Sequence, residues 1–181
     1  MTAKLTASAD GSKVLIGTAA EDALQIDATA KTIKALSPYT LAGNGPAFFA
    51  SLSVNQPIVQ GALIRVLLDA EELDSDNAFA SSRFTPQVAG WYFIHGRVNA
   101  TGSLMTGIIA SIYKNGLAVA VSLLQATFLG TSNSIEVSSL IYFNGSTDYV
   151  ELFGQINATA DQAFISDVPN TSMNGFLVRA T

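Results

Sequence analysis

The stretch Trp91-Tyr-Phe-Ile-His-Gly-Arg-Val98 decides how this chain folds. Aromatic and branched residues in such density suit a strand. Side chains alternate along a strand, so Tyr92, Ile94, Gly96 and Val98 share one face and Trp91, Phe93, His95 and Arg97 share the other. Both faces therefore carry large apolar groups. In a two-sheet sandwich the inner face is buried by the other sheet, while the outer face normally meets water and is polar. Trp91 and Phe93 need a further cover. A second copy of the chain is the simplest one, because a contiguous aromatic patch marks an interaction surface; an N-terminal segment folded back over them is the alternative.

Outward from this strand the same texture continues. Strand signals run from Ala47 to Leu52, Leu63 to Leu68, Arg83 to Pro86, Gly107 to Tyr113, Leu117 to Ala126, Ser134 to Phe143, Tyr149 to Ile156 and Gly175 to Val178. Lys114-Asn-Gly116 and Phe143-Asn-Gly145 divide them, Asn-Gly being the dipeptide that accepts the positive φ angles of a tight hairpin turn. This many short strands over residues 46–181 predict an all-β sandwich of two antiparallel sheets, with a jelly roll among the candidates.

The texture changes before residue 46. Residues 1–45 read as a β-structured stem: Lys13-Val-Leu-Ile16, Ala23-Leu-Gln-Ile26 and Thr32-Ile-Lys-Ala35 are short β-type segments set between small polar residues. Ser37 to Pro46 reads as a linker. A helix over Ala19 to Ala35 is the rival reading, but Thr and Asp interrupt it and no apolar stripe at i, i+3, i+4 persists. Strands this short are stable only against another body.

Composition narrows the function. The 181 residues are 49% hydrophobic and 13% charged, about half the usual charged share, so much of the surface is expected to be covered. A net charge of −5 and nine scattered Lys and Arg exclude a nucleic-acid binder. No apolar run approaches the roughly 20 residues of a spanning helix, and the first residues lack the apolar stretch of a secretory signal, so neither membrane insertion nor general export is expected. With no cysteine there is no disulfide framework, and stability has to come from packing or association.

Six blocks in one order carry a resemblance: Pro46-Ala-Phe-Phe-Ala50, Arg83-Phe-Thr-Pro-Gln-Val-Ala-Gly-Trp-Tyr-Phe-Ile94, Ile112-Tyr-Lys-Asn-Gly116, Leu140-Ile-Tyr-Phe-Asn-Gly145, Asp148-Tyr-Val-Glu-Leu152 and Asn174-Gly-Phe-Leu-Val178. Over Pro46 to Arg179 the chain resembles the globular head of the first complement component, a relative of tumour necrosis factor. The resemblance implies a jelly roll of roughly ten strands that associates as a tight trimer about a threefold axis. It also implies that Tyr92 and Ile94 are core residues and that Gly175-Phe-Leu177 forms the last strand, beside the first. Two features depart from the animal heads. There is no Gly-X-Y stalk, and the N-terminal segment and the Phe84-Thr-Pro-Gln-Val-Ala-Gly90 variant look like those of bacteriophage tail fibres and other virion surface proteins.

Signals for chemistry are sparse. His95 is the one histidine and no cysteine exists, so a catalytic dyad of those residues is excluded and His95 reads as a packed or interface residue. Asp69-Ala-Glu-Glu-Leu-Asp-Ser-Asp76 could offer oxygen ligands to calcium. It lacks the spacing of an EF-hand and reads as a solvated loop, and no cofactor is expected. Glu136, Asp148, Glu151, Asp161 and Asp167 are too scattered to single out a glycosidase pair. Asn157-Ala-Thr and Asn170-Thr-Ser match the glycosylation pattern by chance if the chain never enters a secretory pathway.

The expected protein is thus non-enzymatic: a homotrimeric bacteriophage virion structural protein, assembled in the bacterial cytoplasm and displayed on the virion surface. Trp91, Phe93, His95 and Arg97 are the expected trimer interface. Residues 1–45 would attach to other virion proteins, and the head, 46–181, would bind a host-surface glycan as a tail fibre or receptor-binding tip. A capsid decoration protein gripping the shell through its stem is the alternative.

Overall fold

The computed structural model describes residues 45–127, 132–166 and 171–181, the side chain of Asp161 apart, together with the backbone of four N-terminal strands. All its regular elements are strands. The chain divides into two compact units, Met1–Asn44 and Gly45–Thr181.

In the first unit β1 (Lys4–Ala7), β2 (Lys13–Gly17), β3 (Asp22–Asp27) and β4 (Thr32–Ala35) form an antiparallel meander. The register sets Leu5, Ile16 and Leu24 in one row and Val14, Ile26 and Ile33 in another. The rival helix is excluded over β3 and β4. Lys4-Leu-Thr-Ala7 gave no strand signal, having a single large apolar residue.

The second unit is a sandwich of two antiparallel sheets. One contains β5 (Ala47–Ser51), β6 (Gln56–Pro57), β8 (Ala70–Asp74), β11 (Gly90–Ser103), β14 (Ser132–Phe143), β16 (Ala160–Phe164) and β17 (Ser172–Ala180). Its centre runs β8-β5-β17-β11-β14, and β16 followed by β6 continues from the far end of β11. The other contains β7 (Ile64–Arg65), β9 (Phe79–Ala80), β10 (Arg83–Phe84), β12 (Gly107–Lys114), β13 (Leu117–Gln125) and β15 (Val150–Asn157), ordered β13-β12-β15-β10-β9 with β7 beside β15. The last long strand, β17, lies beside the first, β5, with Gly175 opposite Phe48.

Alternation sorts the side chains. Tyr92, Ile94 and Val98 of β11 are fully buried, as are Ile108, Ala110 and Ile112 of β12 and Leu152 and Ile156 of β15. Phe84 stacks on Phe48 at 4.1 Å and meets Tyr92 and Phe143 edge-on, fixing one end of the core. The Tyr92 hydroxyl donates to the Val88 carbonyl at 2.9 Å, and burial, with Asp76 as a lesser cause, pushes its pKa up to about 12.

Turn chemistry is visible too. Asn115 and Gly116 both take positive φ (52° and 80°), as the Asn-Gly pair between β12 and β13 requires. The second Asn-Gly differs from the expected tight hairpin. Gly145 has positive φ (71°), but the connection continues to Tyr149, and the Asn144 side-chain oxygen accepts the backbone N–H groups of Ser146, Thr147 and Asp148. The acidic stretch also departs from its expected loop. Ala70–Asp74 is an edge strand on β5, because Leu73 opposite Phe49 extends the sheet while Glu71 and Glu72 keep that edge charged.

Candidate functional site

The register of β11 with its two neighbours builds the surface that the sequence reading centred on Trp91. Trp91 lies opposite Tyr142 of β14, their rings 5.8 Å apart, and Phe93 lies between Leu140 of β14 and Phe176 of β17, with 5.7 Å between the two phenyl rings. These side chains touch one another and remain open to water: Trp91 is 45% exposed, Leu140 57% and Phe176 51%, with Tyr142 and Val178 similar. The result is an aromatic and aliphatic patch on three adjacent strands, which a soluble surface rarely tolerates uncovered.

Further along the same face the residues turn polar. His95 Nε2 is 3.7 Å from Glu136 Oε2, and Arg97 Nε is 3.9 Å from Glu136 Oε1. Asn174 Nδ2 lies 3.5 Å from His95 Nδ1, and Arg97 Nη2 donates to Ser134 Oγ at 3.4 Å. Arg97 Nε is shut from solvent without an acceptor in hydrogen-bond range. The structure thus brings all four expected interface residues, Trp91, Phe93, His95 and Arg97, onto one face, apolar at one end and charged at the other.

A second apolar surface was not singled out in the sequence. β13 is an edge strand, and Leu117, Val119, Val121, Leu123 and Leu124 are all exposed along it. The register places Leu123 and Val121 opposite Ile109 and Ser111, and Leu124 opposite the buried Ile108, so apolar groups project from both faces. Its run of alternating and paired aliphatics was legible as a strand; that these side chains stand exposed among the described residues was not. A long apolar edge strand invites another chain to cover it.

Four further acids are held by cations, a hydroxyl or backbone N–H groups. Glu151, whose side chain is 4% exposed, accepts from Arg65 Nη1 at 2.7 Å and Arg83 Nε at 2.8 Å, both on Oε1. The Lys114 ammonium, 2.8 Å from Asp148, is the main cause holding that carboxyl below its usual pKa, and Asn115 and the Asn144 N–H help. Asp69 is likewise lowered, chiefly by the Ser53 hydroxyl and then the Ser53 N–H. Asp74 accepts from the Phe79 and Asp76 N–H groups. Among the described residues no three His, Asp or Glu side chains converge as a metal cage. Asp167 and Asn170 lie outside those residues.

Comparison with solved structures is informative about fold. Two crystal structures of murine APRIL are similar to the head, at 11% and 9% identity with TM-scores of 0.54 and 0.56, each covering 75% of this chain and 100% of its own. The globular domain of zebrafish complement 1qA also matches, at 13% identity and a TM-score of 0.47, over 76% of this chain and all of its own. The head is a jelly-roll sandwich, similar in fold to the murine APRIL structures. No family model matches the sequence, and no curated protein matches it. The two sheets, the β5–β17 pairing and the buried Tyr92 and Ile94 all agree with what the sequence resemblance implied.

Proposed function

We propose that this chain is a non-enzymatic, homotrimeric structural protein of the bacteriophage virion surface. Its N-terminal unit attaches to other virion proteins, and its head binds a glycan of the host surface. The observation that carries the reading is the open apolar patch of Trp91, Phe93, Leu140, Tyr142 and Phe176 on β11, β14 and β17.

Magnitudes favour a second patch in the contact. Covering a half-exposed side chain of this size is worth on the order of 1 kcal/mol, against an association cost of about 4–15 kcal/mol. The sheet face alone barely meets the lower end. Adding the exposed aliphatics of β13 gives the surplus, and two unlike patches on one chain make a head-to-tail contact, which closes as a ring. Three members is the number that the resemblance implies. Three heads on one axis would also multiply weak receptor contacts into useful avidity.

The virion assignment rests on the β-structured unit preceding a head of this type without a Gly-X-Y stalk. Gold-labelled antibody on purified phage particles tests it. Label on the tail is expected, and the chain at micromolar concentration should compete with phage adsorption to host cells. Label on the capsid shell would make it a decoration protein, and particles without label would overturn both.

A further inference from the structure

We propose that the outward face of β12, β15 and β10 is a subsite for an acidic sugar, with Arg83 and Arg65 holding its carboxylate and Tyr113 and Phe153 carrying its ring. This deepens the receptor-binding part of the proposed function and rests on it for its biological setting, not for its chemistry.

Two guanidinium groups share one carboxylate oxygen, Glu151 Oε1, so the cluster keeps an excess positive charge in a chain of net charge −5. Each arginine commits one donor to Glu151, and among the described residues no other hydrogen bond from either is found. A guanidinium has five donors, arranged to grip a carboxylate in pairs. Both arginines are partly exposed, and Arg83 is oriented by lying 4.4 Å above the Tyr149 ring. Buried Glu151 fixes them from below.

Register places aromatic rings beside this charge. Tyr113 is directly opposite Glu151 on β12, Phe153 is opposite Arg65, and the Tyr113 and Phe153 rings lie 4.2 Å apart. Both are partly open to water, giving an apolar floor of two rings tilted by 32° beside the arginine N–H donors. A sugar ring bearing a carboxylate matches that pairing. A neutral sugar leaves the excess charge unanswered. The cluster lies on the sheet opposite to the one bearing Trp91, and Arg83 and Arg65 lie on the side of β15 away from β13, so the proposed self-association leaves the two arginines accessible.

The test titrates trigalacturonate into the full chain while following the arginine Nε–Hε and aromatic resonances. Trigalacturonate should shift Arg83 and the Tyr113 and Phe153 rings at millimolar concentration, and Arg83→Gln should weaken binding at least tenfold. Arg83→Lys, which keeps the charge and loses the fork, should recover little. Galactotriose and acetate at equal concentration should each bind at least tenfold more weakly. Absence of shifts, equal binding by Arg83→Gln, or equal effects of galactotriose or acetate would overturn the proposal. Mass is measured in the same samples: a trimer that ignores the probe defeats this inference alone, whereas a single chain that binds it defeats the assembly alone.

Discussion

On the outward face of β15, the buried carboxylate of Glu151 finds two arginine partners within its own chain. On the outward face of β11, Trp91 and Phe93 meet apolar neighbours that are themselves half exposed, and Arg97 Nε lacks an acceptor. Both faces come from the same strand alternation. The first pairs its buried acid within the head, and the second is covered only by something placed against it. That contrast separates a charged cluster held in place by its own chain from an apolar surface held ready for another copy.

The sharpest way to break the contrast is Trp91→Glu. A charge buried between copies costs on the order of 3 kcal/mol or more, and here it would recur at each contact. The mass in light scattering should fall toward the 18.9 kDa of one chain, with the β-type circular dichroism retained. An unchanged larger mass would remove Trp91 from the interface. Next in size, Phe84→Ala opens a cavity among Phe48, Tyr92 and Phe143. Urea unfolding should show a loss of about 3–5 kcal/mol. The association state of the folded fraction should not change, since this ring belongs to the inner side of the comparison.

Glu151→Gln acts on the charged face. It leaves Arg65 and Arg83 without their counter-charge, but both are open to solvent screening, so urea unfolding should show a loss of about 1–2 kcal/mol. Mass should be unaffected. The smallest effect concerns Asp148, held below its usual pKa chiefly by Lys114. A carboxyl lowered in the folded state adds stability above its unfolded pKa, and that contribution is lost as pH falls through the folded value. Asp148→Asn should therefore lower the melting temperature slightly at pH 7, and the gap to the unaltered chain should close as pH falls below about 4.

Much of this architecture could be read from residues alone. The alternation of Trp91 to Val98, the Asn115-Gly116 turn and the long strands ending at Phe143 and Asn157 all express local patterns that tertiary packing reinforces. The short elements were hidden. Gln56–Pro57, Phe79–Ala80 and Ala160–Phe164 are strands because a neighbour supplies the ladder, and Ala70–Asp74 looked like a charged loop because an edge strand needs only one apolar contact. Site partners were hidden for another reason. Glu151 reaches Arg65 and Arg83 across 86 and 68 residues, and the patch around Trp91 needs Leu140 and Phe176, whose positions follow from register rather than from local sequence.

Sedimentation equilibrium of the purified chain at micromolar concentration tests the central claim most directly. The account predicts a single species near three times 18.9 kDa, with Trp91 fluorescence shielded from iodide. A monodisperse single chain with its indole freely quenched would contradict it.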